Sequence, residues 1–234
     1  MSRVKAYVST NATTEAAVNA TTYNEQTSGA QRSIKSASAS DAAAGTGART
    51  VKLTYFTLDS SGNVAGPFSE VLTMNGVTAV PTVGTNICFV ESLEILTAGS
   101  GGVAAGAITL YTDNAGAGTA IASIASGDRQ TFLGHRYVPS SAKLRITDLV
   151  VKNNSTGTNP QAAVQLRSLQ YGVTSAAEKV LTEAAAVGGV AGTPAQLALT
   201  DARYVAGPAR VQAYVTPREN SSQITAIEFG CSVF

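Results

Sequence analysis

The chain holds one histidine, His135, in the stretch FLGHRYVP. Proton-transfer chemistry at neutral pH most often uses an imidazole, and a Ser-His-Asp site would use this one as its base. No Gly-x-Ser-x-Gly turn accompanies it. His135 stands mid-strand beside Arg136 and Tyr137, a structural setting. The two cysteines, Cys88 and Cys231, are far apart and form no Cys-x-x-Cys pair. They are expected to be buried, reduced thiols. No His-Glu-x-x-His or Cys/His cluster is present to hold zinc. Glu91 and Glu94 are three residues apart, so a strand would send them to opposite faces. YTDNAGAG (111–118) offers some oxygen ligands but lacks the acidic spacing of a calcium loop; it reads as a hairpin tip. AGTGART (44–50) is glycine-rich but lacks the Gly-Lys-Ser/Thr ending of a phosphate loop. No catalytic, cofactor-binding or metal-binding residue is therefore predicted, and the chain is not expected to be an enzyme.

The elements that would position such residues come next. The 234 residues suffice for one large β domain or two small ones. Charged residues make up 13%, about half the usual share of roughly 25%. The net charge is +1. A nucleic-acid partner is not expected, because its affinity rests on clustered Lys and Arg. No run of 18 apolar residues occurs, so no membrane partner is expected either. No apolar h-region follows Arg3 and Lys5, and a secretory signal is not predicted.

From residue 50 onward, short runs of β-forming residues alternate with Gly, Pro, Asn, Asp and Ser clusters. Strands are predicted over 50–58, 68–76, 86–96, 105–112, 119–126, 129–139, 142–153, 162–172, 195–200, 209–217 and 222–234. Many short strands with turns every 8–12 residues or so predict an antiparallel sandwich or barrel. The expected fold is all-β, an antiparallel β-sandwich of jelly-roll-like form with an extended N-terminal arm. Only SAAEKVLTEAAAVGG (175–189) has a helical signature, with Ser175 and Glu178 as a capping box and Gly188-Gly189 as a stop. VKAYVST (4–10) matches VQAYVTP (211–217) closely enough to predict two strands with the same face pattern.

The arm is the segment 1–48, ahead of a sandwich domain at 49–234. Residues 23–48 contain one large aliphatic side chain, Ile34, among Ser, Ala, Thr, Gly and Gln. Such a stretch buries too little apolar surface to offset its ordering entropy, so it reads as a tether. Residues 2–9, upstream of it, alternate as a strand with Val4, Ala6 and Val8 on one face. These three residues are the predicted interaction site, delivered by the tether to a sheet edge outside their own domain, in a neighbouring subunit or another partner protein. The alternative is that the strand docks on its own domain.

Several phrases in order, QRS (31–33), AGTGARTVKLTY (44–55), GPFSE (66–70), MNGVTAV (74–80), TNICFVE (85–91), AGAITLY (105–111), YVPSSAK (137–143) and VAGPARVQAYVTP (205–217), resemble a family of tailed-bacteriophage virion structural proteins. The resemblance implies a β-sandwich component of a virus particle, a head decoration or a neck- or fibre-associated part, made in the host cytoplasm. It implies no catalytic residue and no cofactor. Its partners would be copies of itself, in a homo-oligomer such as a trimer, and other virion proteins. A carbohydrate- or receptor-binding β-sandwich is the competing expectation. The absence of Trp and the 6% aromatic content weigh against a large stacking platform.

Overall fold

A computed structural model describes residues 2–10, 15–153, 161–172, 178–187, 195–217 and 223–234. In chain order its strands are β1 (Ser2–Thr10), β2 (Ala16–Ala17), β3 (Ser33–Ser36), β4 (Ala48–Leu58), β5 (Val64–Thr73), β6 (Val80–Pro81), β7 (Phe89–Ala98) and β8 (Ile108–Tyr111). They continue with β9 (Ala120–Ile124), β10 (His135–Val138), β11 (Lys143–Asn153), β12 (Gln161–Gln170), β13 (Lys179–Val187), β14 (Ala195–Ala206), β15 (Ala209–Pro217) and β16 (Gln223–Val233). Among the described residues no helix occurs. The fold class is all-β, and every strand pairing is antiparallel.

The chain forms two compact units. One is built from Met1–Ala20 with Leu133–Phe234, the other from Thr21–Phe132. In the first unit, one sheet has the order β1-β16-β11-β14 and the other the order β10-β15-β12-β13, with β2 pairing β15. Take the eight strands β1, β10, β11, β12, β13, β14, β15 and β16 as first to eighth along the unit. The sheets then read first-eighth-third-sixth and second-seventh-fourth-fifth. That is the strand order of a jelly roll, two Greek keys folded into two packed sheets. Alternate residues of each strand point inward, and the inward set is apolar: Leu144, Ile146, Leu149 and Val151 on β11, Val211, Ala213 and Val215 on β15, and Ile227, Phe229 and Cys231 on β16. Between them they close one core.

The second unit lies, in sequence, between the first and second strands of that jelly roll. It has a three-stranded sheet, β5-β4-β7, and a four-stranded sheet, β6-β3-β8-β9. Its core contains Ile34, Leu53, Phe56, Phe89, Leu93, Leu110 and Ile121, all at most 2% exposed. In the first unit the two chain ends bracketing the insertion are tied together. Asn19 and Leu133 form a β-bridge. The Gly134 N–H donates to the Val18 carbonyl at 2.8 Å and to Asn19 Oδ1 at 3.0 Å.

Three expectations are corrected. First, the division falls after residue 20 and after residue 132, not at 48/49. Residues 23–48 are not a coreless tether: β3 pairs with β6 and β8, and Arg32, Ser33, Ile34, Ser36, Asp41 and Ala48 are buried. Polar side chains can be buried there because each finds hydrogen-bond partners. Second, β1 pairs along its whole length with β16 of its own chain, from Ser2↔Cys231 to Thr10↔Gln223. Val4 and Ala6 are buried in the jelly-roll core and Val8 packs against it. The face was legible; the partner is the chain's own last strand. Third, 179–187 is the strand β13, not part of a helix, because β12 offers it an antiparallel ladder along its length, with one register shift; tertiary pairing overrides local helix propensity. Of the other residues of that candidate helix, Glu178 is described and is not helical, and 175–177 and 188–189 lie outside the described residues.

Candidate functional site

The features that bear on function lie on the outer faces of the jelly-roll sheets. On the β1-containing sheet, Arg3 sits opposite Gly230 of β16, and Gly230 sits opposite Asp148 of β11. The Arg3 guanidinium crosses Gly230 to reach Asp148 Oδ2 at 2.6 Å and also pairs with Glu228. A Cβ at 230 would stand 2.2 Å from Asp148 Oδ1, so any larger residue at the crossing point would have to displace that carboxylate. The hydrogen bond to Asp148 raises the Arg3 pKa above its ordinary value. This clamp ties three strands together and holds β1 in its own sheet.

On the other sheet, Arg167 of β12 is the centre of a larger network. It pairs with both carboxylate oxygens of Glu15, reaches Glu178 at 3.5 Å and donates to Gln165 Oε1. Its guanidinium also lies 4.6 Å from the centre of the Tyr214 ring on β15. The Tyr214 hydroxyl donates to Glu178 Oε1 at 2.5 Å, and Arg210 stands 3.5 Å from the same carboxylate. Burial, then the bond to Glu178, pushes Tyr214 up to about 12. It stays protonated at physiological pH and acts as a donor. The network joins β12, β15 and the approach to β13, a cross-strand fastening like the Arg3 clamp opposite.

His135 is buried on β10, across the ladder from Gln212, with its ring edge-on to Tyr137 at 5.1 Å. Glu91 and Glu94 lie on β7, with Glu91 at the register shift between the Val90 and Ser92 pairings. Both cysteines are free and buried. Burial pushes the Cys88 thiol up to about 11, and it donates to the Gln26 carbonyl at 3.2 Å. Asp113 caps the hairpin between β8 and β9, accepting from the N–H groups of Ala115, Gly116 and Ala117, with Gly116 at φ +74°. Among the described residues, no group of three or more His, Cys, Asp or Glu is placed to hold a metal ion.

Two buried charges in the inserted unit escaped the sequence reading. Arg32 donates to the carbonyls of Ile87, Thr112 and Ser28 at 3.1, 2.6 and 2.8 Å. Asp41 accepts from the Ser36 hydroxyl and from the N–H groups of Ala48, Ala105 and Gly106 at 2.6 to 3.0 Å. Burial alone would raise the Asp41 pKa; the four hydrogen bonds outweigh it and hold the carboxyl below its usual range. Both residues organise loops. Their only sequence signal is a charge in a stretch of mostly small, uncharged residues.

A further juxtaposition on the β1-containing sheet was also missed. Tyr204 of β14 and Phe234 meet edge to face across β11, their ring centres 6.2 Å apart. Comparisons of the chain with protein-family models, with curated proteins and with solved structures each return no match.

Proposed function

We propose that this protein is a structural component of a bacteriophage virion, a head decoration or a neck- or fibre-associated part, acting through subunit contacts rather than chemistry. The observation that supports this best is the jelly-roll order of the first unit, with a complete second β-sandwich carried between its first two strands. Double-sheet jelly rolls are recurrent building blocks of virus particles. Fold alone does not choose a function. Here it agrees with the virion-protein phrases spread along the sequence. A part enclosed by other parts needs few charges, and the 13% charged content fits that. The subunit contacts would form between folded bodies, since β1 is occupied by its own sheet.

The test is to purify intact particles from an infected host and locate the chain by electron microscopy and mass spectrometry. A fixed copy number at a symmetric position supports the proposal. Absence of the chain from purified particles overturns it. A carbohydrate-binding role is the second reading, favoured by the exposed Tyr204–Phe234 pair.

A further inference from the structure

The outer face of the β1-containing sheet differs from end to end. At one end Arg3 engages the carboxylates of Asp148 and Glu228. At the other, Tyr204 pairs across the ladder with Arg145 of β11. Phe234 exchanges both backbone hydrogen bonds with Lys143, at 2.9 and 3.1 Å. Leu144 and Val205 turn into the core, so the alternation of the strands puts Lys143, Arg145 and Tyr204 on the outer face. The ring contact places Phe234 there too. Tyr204 and Phe234 are 59% and 64% exposed, and both cations are exposed. Among the described residues neither cation is in an ion pair.

Size and shape narrow the occupant. Two half-open aromatic side chains present roughly 250 Å², against about 800 Å² per partner for a stable protein interface. Extended or helical peptides bind sheet edges or grooves, and this patch is the face of three adjacent strands. The chemistry fits a small, ring-shaped anion. An open aromatic face stacks on the C–H face of a pyranose. The fork of Arg145 matches a carboxylate, and the Lys143 ammonium adds a second positive charge beside it. We propose that this patch binds an acidic sugar unit of a glycan, its ring against Tyr204 and its carboxylate on Arg145 and Lys143. The inference is independent of the virion assignment and holds or fails separately from it.

The test is NMR titration of the whole ¹⁵N-labelled chain with tetragalacturonate, with neutral maltotetraose and a tetraglutamate peptide as comparisons. Saturable shifts centred on residues 143–145, 203–205 and 232–234 are expected with tetragalacturonate, and weaker ones with maltotetraose. Tyr204→Ala and Arg145→Gln should each weaken binding by about tenfold, the equivalent of losing one good contact. Tyr204→Leu, which keeps apolar bulk without the ring, replaces Tyr204→Ala if that variant fails to fold. The proposal is overturned by shifts that are absent or centred elsewhere, or by binding that both substitutions leave unchanged. Equal binding of tetraglutamate overturns it too, by reducing the patch to a generic charge site. So does concentration-dependent broadening at these residues without sugar, which would mean that a second copy covers the patch.

Discussion

The jelly-roll unit and the inserted unit are both β-sandwiches, yet they are held together differently. The jelly roll relies on long strands: β1, β11, β12, β14, β15 and β16 each run for nine residues or more. Its core is an apolar, mostly aliphatic set on alternating positions. The inserted unit has a shorter-stranded second sheet, with β3 and β8 four residues each and β6 two. Among the described residues it contains six of the nine buried polar or charged ones: Arg32, Ser33, Ser36, Asp41, Thr82 and Thr131. Where strands are short, loops must be ordered by side chains, and buried polar groups are tolerated only when fully bonded. The first unit therefore depends on packing volume, the second on the completeness of a few hydrogen-bond sets.

Substitutions should separate the two. The largest effect is expected from Phe229→Ala, which empties the middle of the jelly-roll core. It should cost about 3–5 kcal/mol. Native-state hydrogen exchange on the whole chain should show faster exchange in β11, β15 and β16, with the amides of β4 and β7 unchanged. Equal loss of protection in both units would mean that they unfold as one, and the comparison would fail.

Next comes Asp41→Ala, which leaves three N–H groups and a hydroxyl without their acceptor. A loss of about 3 kcal/mol is expected, confined to the inserted unit. The pH dependence has a definite sign. The folded pKa of Asp41 is depressed, so its contribution is fully present above the unfolded carboxyl value of about 4 and is lost as pH falls below it. On acidification, amides of the inserted unit near residues 41–48 and 104–106 should lose protection below about pH 4, and Asp41→Ala should abolish that dependence. A pH-independent unit would contradict the role given to Asp41.

Gly230→Ala is expected to be milder. Its new methyl pushes Asp148 away from the Arg3 clamp, at a cost of about 1–2 kcal/mol as a local overpacking. The sharp outcome is regional: faster exchange in β1 and its ladder partners, with the β12–β15 ladder untouched.

The same contrast explains what could be read from the sequence. Period-two alternation is the signature of long half-buried strands, and β15 runs over the residues predicted, 209–217. The match between VKAYVST and VQAYVTP is a shared face pattern: Val4 and Ala6 on β1, and Val211, Ala213 and Val215 on β15, all enter the core. Residues 23–48 were illegible because hydrophobic patterning cannot register Arg32 bonded to three carbonyls or Asp41 bonded to four donors. The strand β13 was hidden by good helix formers in EKVLTEAAA. Val4, Ala6 and Val8 were recognisable as one apolar face, but a ladder partner more than two hundred residues away leaves no local mark. Nor does Tyr204 meeting Phe234 across β11, because that contact is made by sheet order alone.

The central claim is that β1 is the first strand of its own chain's jelly roll, closed against the last strand around an inserted sandwich. Lys5 and Glu228 are direct ladder partners on the outer face, and the Cβ atoms of such a pair stand about 4.5–5.5 Å apart, near disulfide reach. The native cysteines are buried and should not compete. The most direct measurement is mild oxidation of the Lys5→Cys/Glu228→Cys double variant, followed by non-reducing electrophoresis and peptide mapping. A bond between positions 5 and 228 within a single chain is predicted, with no change in mass class. Covalent dimers or higher species joined 5 to 228 would show that the strand is donated to another copy, and would contradict the account.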